Sequence, residues 1–183
     1  MSVKPDHWIR SMAKEQRLIT PFVDTQVRDG VISYGLSSYG YDMRLFDEYK
    51  LPDYPANAVL DPKDKSYTFT SHKSAYVDLA PGQFMLGRSV EYFRIPRDII
   101  TIAYGKSTYA RIGIMCNITP FEPEWEGYVT LMIANTGKQM ARIYTMEGIA
   151  QVLFLGTSGV CETSYADKQG KYQAQAQITH SRL

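Results

Sequence analysis

The chain has 183 residues, a mass of 20.8 kDa, and 20 Lys and Arg against 19 Asp and Glu, leaving a net charge of +1. That length predicts one domain, able to bury roughly 70% of its unfolded surface without disulfide or metal support. Hydrophobic residues at 44% and charged residues at 21% exclude a disordered, collagen-like or coiled-coil chain. The balanced charge excludes a global basic field for nucleic acid, so any anionic ligand has to be held by a local site.

The opening Met1-Ser2-Val3-Lys4-Pro5-Asp6-His7-Trp8 has no apolar signal core. No run approaches the 18 or so apolar residues of a membrane span, so we expect a soluble, cytoplasmic protein. Residues 6–17 predict a helix, with Trp8, Ile9, Met12 and Ala13 on one face and Asp6 as its cap. From Val31 onward short alternating or apolar runs are separated by Gly, Pro, Asp and Ser. Strands are expected at residues 67–70, 75–79, 84–93, 99–104, 128–134, 141–144 and 149–155, the pattern of a β sandwich or barrel. One helical turn interrupts them at 107–113, between a hydroxyl start and Gly113. The polar tail, residues 164–183, is either a frayed end or a flap that orders on a ligand. Cys116 and Cys161 lie far apart without a C-x-x-C spacing and read as structural thiols of a reducing compartment.

Gly105-Lys106-Ser107-Thr108 resembles the end of a P-loop, but Ile100 stands where the first glycine is needed. Two readings remain, a phosphate cradle of hydroxyls and N–H groups flanked by Lys106 and Arg111, or a capped surface helix. Zinc-dependent deamination needs an H-x-E pattern, and His7, His72 and His180 are followed two positions later by Ile9, Ser74 and Arg182. No G-x-S-x-G elbow is present for a serine hydrolase. Glu122, Glu124 and Glu126 flank a turn before a strand, either solvated or supplying a base or a contact to a metal–triphosphate complex. Met132 in that strand reads as core packing and carries no chemistry of its own.

Taken in order, Ser33-Tyr34-Gly35, Ser37-Ser38-Tyr39-Gly40-Tyr41-Asp42, residues 90–97, 105–111, 119–127, 147–152 and 170–173 resemble the dCTP deaminase branch of the dUTPase-like superfamily over nearly the whole chain. The resemblance implies a single domain over residues 1–183, mainly β, a distorted β-barrel of dUTPase type with a short N-terminal helix and a mobile C-terminal tail. It also implies homotrimers with sites between subunits. In that family Lys106, Ser107 and Thr108 would bind the triphosphate, Arg111 would reach across from a neighbouring subunit and help to place water, and Asn117, Thr119 and Pro120 would meet the pyrimidine. Tyr165, Lys171 and Gln175 would close over the phosphates and sugar, with Mg²⁺ bridging phosphate oxygens rather than held by side chains, and with no zinc.

The family converts dCTP to dUTP with a glutamate that follows the leucine in the strand after the Trp-Glu-Gly turn, and here Leu131 is followed by Met132. Ala174 also replaces a tail glycine of the family. Three functions follow as expectations: deamination with another carboxylate such as Glu122, Glu124 or Glu126 as base, diphosphohydrolysis of a pyrimidine deoxynucleoside triphosphate with Glu122 as base, or a catalytically silent dNTP-binding homologue.

Overall fold

The computed structural model describes residues 2–55, 57–63 and 68–181. Among them the chain opens with β1 (Ser2–Val3) and α1 (Asp6–Gln16) and continues through β2 (Ile19–Thr20), β3 (Gln26–Val27), β4 (Tyr34–Ser37), β5 (Gly40–Asp53), β6 (Thr68–Lys73) and β7 (Tyr76–Leu79). Then come β8 (Phe84–Arg94), β9 (Ile99–Gly105), α2 (Ser107–Ala110), β10 (Ile114–Asn117), β11 (Glu126–Asn135), β12 (Ala141–Tyr144) and β13 (Gly148–Gly156).

The expected helix forms with Ile9 and Ala13 buried, but Asp6 is not its cap. Pro5 holds the N-cap position in extended backbone, and the Asp6 carboxylate accepts instead from the neighbouring His7 amide at 2.7 Å. Arg17 ends the helix in left-handed backbone, its N–H returning to the Met12 carbonyl. Seven of the described strands overlap the expected ones, though Tyr67, where the first was expected to begin, lies outside the described residues.

The main sheet is antiparallel and follows the order β1-β13-β5-β8-β11-β10, with β9 on β13, β6 and β4 on β5, β3 on β4, and β2 on β8. β7 and β12 form a separate two-stranded sheet. β5 belongs to both halves of the curl: its start pairs with β13 through Tyr41↔Val152, and its end pairs with β8 through Lys50↔Leu86. A register irregularity between Leu45 and Tyr49 marks where it turns the corner, as bulges do in closed sheets. The enclosed core includes Tyr41, Met43, Leu45, Met85, Phe93, Leu131, Ile133, Val152 and Phe154, each fully buried. Full burial of one such side chain contributes about 1.5–3 kcal/mol.

Glu91 places a carboxylate inside this apolar body. Glu91 is fully buried and accepts from the Arg44 N–H at 2.9 Å and the Arg44 Nε–H at 2.8 Å. Burial pushes its carboxyl above the usual range, against the pull of the guanidinium. The pair ties β5 to β8 next to the register irregularity that begins at Leu45.

Candidate functional site

β11 has two faces. Val129, Leu131 and Ile133 point into the core, whereas Tyr128, Thr130, Met132 and Ala134 are half-buried on the opposite face. Met132 is therefore not a core residue as its apolar character suggested. It sits on the outer face, paired across the ladders with Leu86 of β8 and Asn117 of β10. Directly opposed residues in antiparallel strands project to the same side, which places Asn117 and Met132 together.

β10 covers the edge of β11 only as far as Met132 and leaves at Asn117. The tail takes over the remaining edge. The Ala174 N–H donates to the Glu126 carbonyl at 2.9 Å, the Tyr128 N–H donates to the Gln175 carbonyl at 2.9 Å, and Gly127 and Gln175 form a parallel bridge. Gly127 is required here, since its φ is +146° and a Cβ would meet the Gln175 nitrogen at 2.8 Å. The Trp125 indole N–H donates to the Tyr172 carbonyl at 2.8 Å, and Thr130 Oγ1 accepts from the Thr179 N–H at 3.2 Å. At its root the tail is gripped by Arg97, which donates to Glu124 and Asp167, each at 2.7 Å, and to the Glu162 carbonyl at 3.1 Å. These bonds dock the described part of the tail as a strap along the β11 edge.

Between the strap and the 118–123 loop lies a cavity of about 750 Å³, within the size range of small-molecule sites. Its apolar wall comes from Ile100, Ile118, Phe121, Trp125 and Val129, and its polar wall from Thr119, Glu122, Thr130, Lys171, Gln175 and Thr179. The loop is fixed from beneath by Thr101, whose buried hydroxyl accepts from the Phe121 N–H at 2.8 Å. Tyr165 lines the cavity and braces the strap, its hydroxyl accepting from the Tyr172 N–H at 3.0 Å.

Six of the expected site residues, Thr119, Pro120, Glu122, Tyr165, Lys171 and Gln175, thus line one cavity. Lys106, Ser107, Thr108, Arg111, Asn117 and Met132 do not. Lys106 precedes α2 as its N-cap residue, and Ser107, Thr108 and Arg111 are exposed on that short helix. No side-chain cap bond forms there, so the hydroxyls expected at the helix start are not occupied in capping. Lys106 Nζ is held by Asp42 at 2.6 Å in a nearly buried pair, with side-chain exposures of 11% and 3%, and Gln26 Nε2 donates to the same carboxylate oxygen at 3.0 Å. Ile102, Tyr104, Ile112 and Met115 are exposed on β9, β10 and the turn after α2.

The three acids of the 122–126 turn are all engaged: Glu122 with Lys168 at 2.8 Å, Glu124 with Arg97 at 2.7 Å, and Glu126 with Arg94 at 3.4 Å. Glu122 is the one of the three that lines the cavity. No three His, Cys, Asp or Glu side chains converge among the described residues. Sequence reasoning missed Asp42, Thr101, Arg97 and the tail contacts. The Tyr41-Asp42 pair had been noticed only as part of a resemblance, and nothing in the spacing ties it to Lys106.

This curled, mainly antiparallel β fold has a counterpart among solved structures. A solved structure of 2'-deoxycytidine 5'-triphosphate deaminase from Agrobacterium tumefaciens superimposes with a TM-score of 0.62 at 14% identity, covering 83% of this chain, which spans 47% of that one. A family model described as dCTP deaminase-like matches residues 3–157, and the chain belongs to that family. Among curated relatives, dCTP deaminases of Chloroflexus aurantiacus (strain J-10-fl) and Granulibacter bethesdensis are each 55% identical over 184 aligned positions, covering 100% of this chain and 99% and 100% of theirs. The relatives named dCTP deaminase are hydrolases, and this likeness supports an enzymatic function for the chain. Among the described residues no helix is long and apolar enough to cross a membrane.

Proposed function

We propose that the protein binds a pyrimidine deoxynucleoside triphosphate and hydrolytically deaminates dCTP, dCTP and water giving dUTP and ammonia. The observation that carries this reading is end-to-end similarity to curated dCTP deaminases at 55% identity. In the proposed complex Lys106, Ser107 and Thr108 hold phosphate oxygens and Arg111 stabilises their charge and helps to place water. Asn117, Thr119 and Pro120 meet the pyrimidine edge, and Tyr165, Lys171 and Gln175 close from the strap. α2 lies outside the cavity of its own chain, so the site is completed by α2 of another copy in a homotrimer. The exposed apolar side chains around α2 support that association. Mg²⁺ arrives on the triphosphate.

Glu122 is the base in this reading. Released from Lys168, its carboxylate takes a proton from water as the oxygen attacks C4 and returns it to the leaving amino group. Met132 contributes apolar contact beside Asn117 and moves no proton. The test is product analysis with purified protein, Mg²⁺ and dCTP, dUTP or dTTP in turn. We expect dUTP from dCTP, a fall of about 10²-fold or more in Glu122→Gln, and a faster reaction in Met132→Glu. Monophosphate products would transfer the chemistry to the phosphate chain.

A second reading, a dNTP-binding homologue without turnover, is favoured by one observation: Met132 occupies the outer face of β11 beside Asn117, and all three nearby carboxylates are spent in ion pairs. Bound dCTP with no product from wild type, and product from Met132→Glu, would establish it.

A further inference from the structure

The far end of the strap is held by a contact that none of the expected roles includes. Lys50 lies in the second half of β5, on the strand that turns the corner of the barrel. Its Nζ stands 2.9 Å from His180 Nε2 and 3.4 Å from the Ile178 carbonyl oxygen. An ammonium only donates, so His180 accepts at Nε2 and keeps its own proton on Nδ1. The imidazole packs edge-on against Phe69 of β6, with ring centroids 4.8 Å apart, and Ile178 beside it is buried. Thr179, between these two residues, donates its N–H to Thr130, and Thr179, His180 and Ser181 all line the cavity. Lys50 thus holds the chain on either side of Thr179, through the Ile178 carbonyl and the His180 ring.

We propose that Lys50 is a positioning residue for the nucleotide site: its bond to neutral His180 fixes the end of the strap as a wall of the cavity, and protonation of His180 releases that end. This rests on the cavity being the nucleotide site. The release follows from the geometry, because a proton on Nε2 removes the acceptor and sets a second cation against the ammonium. Burial and then the Lys50 charge hold the imidazole below its ordinary pKa, so the docked strap carries a neutral ring.

Among the described residues, Glu122 and Lys171 line the same cavity as His180, and further charged groups lie on the elements packed around the contact. Glu48 lies two residues from Lys50 on the same face of β5, paired in register with Lys73 of β6. Arg88 lies two residues along β8 from Leu86, the partner of Lys50, and is held between the Phe46 and Tyr128 rings. β11 presents Thr130, which is not ionisable, and Asp61 and Lys63 flank Pro62, whose carbonyl accepts from Ser181 Oγ at 3.4 Å. Lys50 is the only one of these that acts on the ionisation of His180. The sign is fixed: with the docked pKa below the free one, docking is complete above the ordinary histidine pKa of about 6.5 and weakens as pH falls through it, by at most about tenfold per pH unit.

The experiment is amide hydrogen exchange on the full chain without nucleotide, read at Thr179 for the strap end and at Leu131 for the barrel, at about pH 7.5 and about pH 5, as protection relative to the unstructured rate. Expected are a fall in Thr179 protection for the wild type in acid, no such fall in His180→Gln, and low protection at both pH values in Lys50→Met, with Leu131 unchanged throughout. Equal acid loss in His180→Gln, or wild-type protection in Lys50→Met, would overturn the proposal. A second measurement takes dCTP kinetics: Lys50→Met should raise KM several-fold with kcat nearly kept, and an unchanged KM overturns the positioning role. If the wild type shows the exchange signature but binds no dCTP, the tether is upheld and the proposed substrate is what fails.

Discussion

Asp42→Asn tests the anchoring of Lys106 most directly. The wild-type carboxylate is 3% exposed and sits 2.6 Å from an ammonium that is 11% exposed, so the substitution leaves a nearly buried cation without its counter-charge. At an effective dielectric constant near 20 the lost attraction is ~6 kcal/mol, of which desolvation cancels a large part. Removing one member of such a pair costs about 3–5 kcal/mol net, because the other is stranded. With a urea slope of about 2–3 kcal/mol/M, the unfolding midpoint should fall by roughly 1.5 M at fixed protein concentration. Lys106→Met should also destabilise, leaving Asp42 only the Gln26 amide. The double variant should be clearly more stable than the sum of the singles predicts, since neither charge is then orphaned. A midpoint shift below about 0.3 M in Asp42→Asn, or strict additivity in the double variant, would refute the reasoning.

Ala174 adopts φ +53°, a region that disfavours an L side chain by about 1–2 kcal/mol, so Ala174→Gly should tighten strap docking by about 1 kcal/mol after the entropy of glycine is subtracted, seen as slower exchange of its own amide. Burial pushes the Cys116 thiol up to about 12, and under native conditions near neutral pH one of the two cysteines should react slowly with iodoacetamide while both react fast in denaturant. The Ser164 N–H and then the Arg97 guanidinium hold the Asp167 carboxyl below its usual range, so this group supports the root of the strap above the ordinary carboxylate pKa. That support is lost as pH falls through the lowered value, and Asp167→Asn should remove this part of the acid dependence of tail proteolysis.

What was legible in the sequence, and what was not, divides along physical lines. The helix announces itself by its apolar face, and the strands at 84–93 and 128–134 as short runs rich in apolar and aromatic residues bounded by Gly and Pro. Their burial alternates residue by residue, although the inward face of β8 carries Ser89 and Glu91 and its outward face Leu86 and Val90. β5, at 14 residues the longest strand, escaped notice. Its first residues are buried on both faces, Asp42 included, and its register irregularity breaks the period of two on which strand recognition depends. The tail escaped for another reason: it docks through backbone N–H and C=O groups to Glu126 and Tyr128, and such bonds leave no trace in composition. The motif at 105–111 was legible as a place for phosphate, but Asp42 lies 64 positions from Lys106 and only the closure of the barrel brings them together. Ala174 was visible as a departure from the family pattern, yet only the backbone shows that the departure falls on left-handed geometry.

The relay along β11 also bears on how the chain is made. Its edge is covered by β10 as far as Met132 and by the strap at Gly127, and the strap is synthesised well after β11. Until then the stretch from Glu126 to Thr130 presents unpaired amides and carbonyls on one side, with Tyr128 beside them. An open edge of this kind is a template for another extended chain. A nascent copy is therefore most open to edge pairing in the interval before its own strap arrives, because the strap occupies the same amides and carbonyls that a neighbouring chain would take.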